Sequence, residues 1–220
     1  MRYIKGTCTW RLTYGSEGPL GGYSDTEYAG DIDTRRSATG QAFLWGGAAI
    51  SWGSKMQTTV AASTTEAEYV AAGMATKKAL WLRRLVRELG VEDKPIVMHC
   101  DCQGAMAMIQ TPASSNRTKH IDVTHDWVRK CVEAAAMSVT KVRPGEMVAD
   151  CLTNALRTDA SKTCRAALGL TDGVAHAARV GVLAPVHKAD RAPDAGLSEG
   201  QSGARSDVAP GAAATAAAQC

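Results

Sequence analysis

Aromatic side chains are scarce: one Phe, five Trp and five Tyr make up 5% of the chain, and the last of them is Trp127. A core with large rings therefore has to be built before that point. From Val174 to Cys220 the chain turns to Ala, Gly and Pro, ending in the run Pro210 to Ala218. Its few aliphatics do not offset the entropy of ordering, so 174–220 is expected to be a disordered tail. No apolar run approaches the ~18 residues of a spanning helix. No apolar segment follows the basic start Met1–Gly6 as a secretory signal requires. The expectation is an intracellular, cytoplasmic chain with no membrane partner. Seven scattered cysteines are an odd set and leave no complete disulfide framework, so reduced thiols are expected. A net charge of +3 does not by itself mark a nucleic-acid binder. What is present is 45% hydrophobic content over 220 residues, enough for one domain core, and no internal repeat.

Leu20 to Asp25 reads as a short strand running into a turn. Gln41–Trp45 and Ala48–Trp52 flank Gly46-Gly47, a pair suited to the positive φ of a tight hairpin. Ser63-Thr-Thr-Glu-Ala-Glu is a helix start, and the helix is expected to run to Leu89 and stop at Gly90. At 100° per residue, Val70, Met74, Trp81, Leu85 and Leu89 share a stripe that is expected to face the core, with Arg83, Arg84 and Arg87 opposite. Pro95 to Asp101 reads as a buried strand ending in a carboxylate, followed by a helix over 103–110. A helix over 121–136, a strand over 137–142 and a last helix over 146–156 complete the pattern. An antiparallel meander followed by a crossover helix implies an α/β fold with one mixed sheet flanked by helices.

Carboxylates stand at the ends of these elements: Asp25 after the first strand, Glu66 and Glu68 at the start of the long helix, Asp101 at the end of a strand and Asp150 on the last helix. Their wide spacing makes no local motif, so only the fold can bring them together. Converging acids without a basic partner repel, and hard divalent cations are the natural neutraliser. Glu66 and Glu68 flank the apolar stripe about equally, and periodicity does not choose between them.

Five blocks together resemble the ribonuclease H domain of copia-type retrotransposon polyproteins: Gly22-Tyr-Ser-Asp-Thr-Glu-Tyr-Ala-Gly-Asp, Ala61-Ala-Ser-Thr-Thr-Glu-Ala-Glu-Tyr, Cys100-Asp-Cys-Gln, Arg117-Thr-Lys-His-Ile-Asp and Glu146-Met-Val-Ala-Asp-Cys-Leu-Thr. They occur in the family's order over roughly Gly22 to Leu156. The resemblance implies a ribonuclease H-like mixed five-stranded sheet over 18–160, preceded by a remnant of a reverse transcriptase at 1–17 and followed by a connecting segment at 161–173. It implies hydrolysis of the RNA strand of an RNA–DNA hybrid, with two Mg²⁺ ions, or Mn²⁺ in their place, held by Asp25, Glu66, Asp101 and Asp150. Between the two helix-start glutamates, the resemblance chooses Glu66. The expected partners are the hybrid and the reverse transcriptase of the parent polyprotein, with particle association if the element is active.

Strand choice needs a reader of the 2′-hydroxyl, which the wide minor groove of a hybrid displays. Ser24, Thr26, Ser63 and Gln103 are the candidates, with Arg117 and Lys119 for substrate phosphates. Lys77, Lys78, Arg83, Arg84 and Arg87 read first as a solvated helix face. His99, Cys100 and Cys102 are zinc-type ligands at poor spacing, since neighbours on a strand diverge, so no structural zinc is expected. Cys131, Cys151 and Cys164 read as small apolar fillers. Asp31 and Asp33 read as turn residues. Departures from the family pattern are Tyr28 in Glu27-Tyr-Ala-Gly, Cys102 for Asn, Asn154 for Lys, and no His between Val142 and Asp150, where Glu146 is the candidate proton carrier. They set a second reading beside the first: a catalytically inactive relic that binds nucleic acid weakly.

Overall fold

The hairpin turn and the helix cap are the local signals on which the architecture rests. In the computed structural model, which describes residues 2–15, 18–90, 94–110, 119–143 and 145–172, Gly46 and Gly47 have φ of 61° and 83°. They join β3 (Ala38–Trp45) to β4 (Ala48–Met56) with Trp45 opposite Ala48, the two-residue turn that positive φ permits. Both strands extend further than their alternation suggests. β2 (Gly21–Glu27) pairs antiparallel with β3, and β5 (Ile96–Cys100) and β6 (Met137–Lys141) add parallel strands on the other side. The sheet order β4-β3-β2-β5-β6 is the mixed five-stranded α/β arrangement expected from sequence.

Helix α2 (Thr64–Glu88) starts on the Ser63 cap, whose side chain accepts the Glu66 N–H at 3.2 Å. Gly90, at φ 77°, ends it. Its core face is not the expected stripe: Trp81 is 54%, Leu85 38% and Leu89 64% exposed. The buried stripe is Glu68, Ala72, Ala75, Ala79, Leu82 and Val86, a 4-3-4-3-4 spacing. Alanines bring the helix axis close to the sheet, where they pack with Phe43, Ile96, Met98 and Met137. Small residues dominate the inward face, and Trp81, Leu85 and Leu89 sit outward. Helices α3 (Gln103–Gln110) and α4 (Lys119–Glu133) join Tyr69, Ala72 and Cys100 in a second cluster.

The expected last helix is a 3-10 turn, Val148–Leu152. It lies against β3, where a Cβ on Gly40 would stand 2.9 Å from the Ala149 carbonyl and 2.7 Å from Thr153 Cγ2. Only a glycine admits that approach. After the turn come α5 (Thr158–Ala167) and β7 (Leu170–Asp172). β7 pairs antiparallel with β1 (Trp10–Leu12), which follows a short helix α1 (Arg2–Gly6). Residues placed by the sequence reading in a front remnant and a connecting segment thus form one two-stranded sheet. Tyr14 donates its hydroxyl to the Ala49 carbonyl at 2.7 Å, and Arg165 stacks over Trp10 at 4.5 Å. Residues 174–220, expected to be a disordered tail, lie outside the described residues. No helix among the described residues is long and apolar enough to cross a membrane.

Candidate metal centre

β2 sits at the switch from antiparallel to parallel neighbours, and its pairing with β5 ends at Tyr23 opposite His99. Beyond that pair the two strands have no further rungs, and Asp25 and Asp101 stand at the opening, the place where open sheets carry sites. Asp25 is opposite Gly40 on the face that the 3-10 turn covers, and Asp150 is part of that turn. Ser24 and Thr26 point to the α2 face. Glu68 enters from α2 at the same end, near the Thr26 backbone N–H. The acids thus approach this end of the sheet from both faces, near enough for their charges to act on one another.

Glu68, not Glu66, joins the other three. The Glu66 carboxylate accepts the Ala62 N–H at 3.0 Å, closing a capping-box variant with Ser63. Glu68 is 8% exposed, and its Oε2 has no hydrogen-bond partner. Burial first, then the charges of Asp25, Asp101 and Asp150, push its carboxyl up to about 8. Asp150 rises to about 6, by burial and then by Asp25 and Asp101. Asp25, 5% exposed, is raised mainly by burial; the hydroxyl of Thr153 donates to its Oδ2 and pulls the other way. Mutual repulsion of this kind is the signature of a site short of positive charge.

Donor atoms of Glu68, Asp101 and Cys100 lie within 4.8 Å of one another. Burial pushes the Cys100 thiol up to about 12, so sulfur stays protonated and the effective donors are oxygens. An oxygen set with an orphaned buried carboxylate oxygen fits a hard divalent cation.

Of the substrate-contact candidates, Ser24 is 1% and Thr26 8% exposed, and the Thr26 hydroxyl donates to the Ala38 carbonyl at 2.8 Å. Their side chains are spent inside the fold and do not face a ligand. Ser63 is exposed but engaged as the helix cap, Gln103 is exposed at the start of α3, and Lys119 opens α4. Arg117 lies outside the described residues. The basic residues of α2 have local partners: Arg84 pairs with Glu88 at 3.0 Å, Arg83 donates to the Ala136 carbonyl at 3.1 Å, and Lys78 lies over Trp81 at 4.4 Å. Asp31 forms a turn, accepting from Thr34 Oγ1 and the Asp33 N–H.

Periodicity left Glu66 and Glu68 even because it weighted large apolar residues, and the resemblance then chose Glu66. The available signal was the alanine stripe, on whose centre line Glu68 lies.

No protein-family model matches the chain. It is 42% identical over 171 residues, 77% of its length, to the Retrovirus-related Pol polyprotein from transposon TNT 1-94 of Nicotiana tabacum. It is 34% identical over 174 residues to the Pol polyprotein from transposon RE1 of Arabidopsis thaliana. The chain spans 13% and 12% of those two polyproteins. Among solved structures, RNase H1 from Halobacterium salinarum is 19% identical, with 61% of this chain and 94% of that chain covered at a TM-score of 0.43. The chain's homologues are thus copia-type retrotransposon Pol polyproteins, of which it matches a short stretch.

Proposed function

We propose that this domain hydrolyses the RNA strand of RNA–DNA hybrids, with divalent cations held by Asp25, Glu68, Asp101 and Asp150. The observation that carries the reading is the convergence of four carboxylates, one of them buried with an unpartnered oxygen, at the open end of the central strand pair. Two Mg²⁺ ions would offset the four negative charges, and Mn²⁺ has the same preference for oxygen donors. When bound, such ions activate water and stabilise the charge that develops on the scissile phosphate.

The chain's own residues do the positioning. Thr153 fixes Asp25 through its hydroxyl, and burial on the inward face of α2 holds Glu68. Gly40 lets the Asp150 turn sit against the sheet. Glu146, exposed ahead of that turn, is the side chain proposed to carry a proton between solvent and the site. Gln103, at the start of the helix that follows Asp101, is the side chain available to read a 2′-hydroxyl. Homology to Pol polyproteins supports a role in reverse transcription, with the reverse transcriptase of the parent polyprotein as the proposed partner.

The test is cleavage of a labelled RNA–DNA hybrid in Mg²⁺, with single-stranded RNA and duplex DNA as controls. Asp25→Asn and Glu68→Gln are expected to lower the rate at least about 100-fold. Equal cutting by wild type and both variants would reject the site. No cutting by the wild type across Mg²⁺ and Mn²⁺ titrations would leave the inactive relic.

A further inference from the structure

Cys151 and Cys164 come from separate elements, the 3-10 turn and α5, and both are reduced. The Cys151 thiol donates to the Val148 carbonyl at 3.3 Å, and the Cys164 thiol donates to that same oxygen at 3.2 Å. Cys164 reaches a second carbonyl, that of Met147, at 3.7 Å. Two sulfurs that converge on one acceptor are more than cavity fillers, for which apolar neighbours suffice. The shared oxygen brings the two sulfurs close, and side-chain rotation is what remains to close a bond between them. Cys164 is buried and Cys151 half-buried, so a small oxidant reaches the pair from one side.

We propose that Cys151 and Cys164 are an oxidation site at which a hydroperoxide joins the two thiols into a disulfide, stapling α5 to the turn that carries Asp150. Two S–H bonds break and one S–S bond forms. The two electrons and two protons released reduce one molecule of hydrogen peroxide to two waters. The crosslink closes a short loop, restricts the unfolded chain and holds the turn against α5. A dithiol reverses it by exchange. The inference does not depend on the nuclease reading.

The experiment uses the whole reduced chain, treated briefly with hydrogen peroxide, blocked with N-ethylmaleimide and digested with trypsin without reduction. The expected product joins peptide 142–157, left whole across Arg143-Pro144, to peptide 163–165, about 2 Da below their summed mass. An accompanying rise in Tm should disappear with dithiothreitol. Recovery of both peptides as maleimide adducts after other cysteines have oxidised would overturn the proposal. So would preferential joining of either cysteine to Cys8, Cys100, Cys102, Cys131 or Cys220. Cys164→Ser keeps a hydroxyl for the Val148 carbonyl; it should leave Cys151 open to alkylation after peroxide and abolish the Tm rise. A rise that persists in this variant would also refute the staple.

Discussion

Two glutamates two residues apart on α2 do different work, and the helix turn decides which does what. Glu66 faces back to the Ala62 N–H and completes the cap, whereas Glu68 lies on the alanine stripe under the sheet. Glu66→Gln should therefore keep hybrid cleavage within a few-fold of wild type while Glu68→Gln loses it; assayed side by side, a reversed order would return the site to Glu66. The carboxyl of Glu68, raised to about 8, and that of Asp150, raised to about 6, also make a stability prediction for the metal-free protein. Both folded values exceed ordinary carboxylate values, so the native state binds more protons than the unfolded chain between about pH 4 and 8. As far as these groups decide it, stability in EDTA should be greatest below about pH 4 and fall as pH rises through 6 toward 8. Millimolar Mg²⁺ should flatten that decline by neutralising the ionised cluster. Tm against pH with and without Mg²⁺ measures both, and parallel curves would show that the acids do not share a cation.

At the scale of elements, the site depends on how closely the 3-10 turn and α2 approach the sheet. Gly40→Ala puts a methyl against the Ala149 carbonyl and Thr153, so the turn must shift and carry Asp150 with it. Overpacking of this kind costs about 1–3 kcal/mol. Cleavage should fall by more than the loss of folded protein explains, which denaturant curves and rates on the same preparation would separate. Ser63→Ala removes the α2 cap at about 1 kcal/mol, with the acids left in place. Here Tm should drop while hybrid cleavage at low temperature holds. The element boundaries were legible where chemistry is local: the Gly46-Gly47 turn, the Ser63 start, the Gly90 stop and the helix over 103–110. The face of α2 was not, because a helix wheel records which residues are large, and close packing against a sheet selects those that are small.

For the molecule as a whole, β1 and β7 tie the two ends of the described chain together and seat them on the β3–β4 hairpin through Tyr14 and the Ala49 N–H, which donates to the Leu168 carbonyl at 3.0 Å. Removal of residues 1–17 should leave β7 unpaired and lower stability by about 2 kcal/mol, roughly 4–8 °C in Tm; an unchanged melt would show that the strap is dispensable. Sequence by itself determined the fold class and the family whose blocks carry the candidate acids, because caps, glycine turns, strand ends and contiguous motifs are written in neighbouring residues. Tertiary structure decided the fourth acid, the inward face of α2, the burial of Ser24 and Thr26, the meeting of Cys151 with Cys164 and the joining of the front segment to β7. Each of these depends on distance between residues far apart in the chain, and such distances are set by how closely packed elements approach, which no local pattern records.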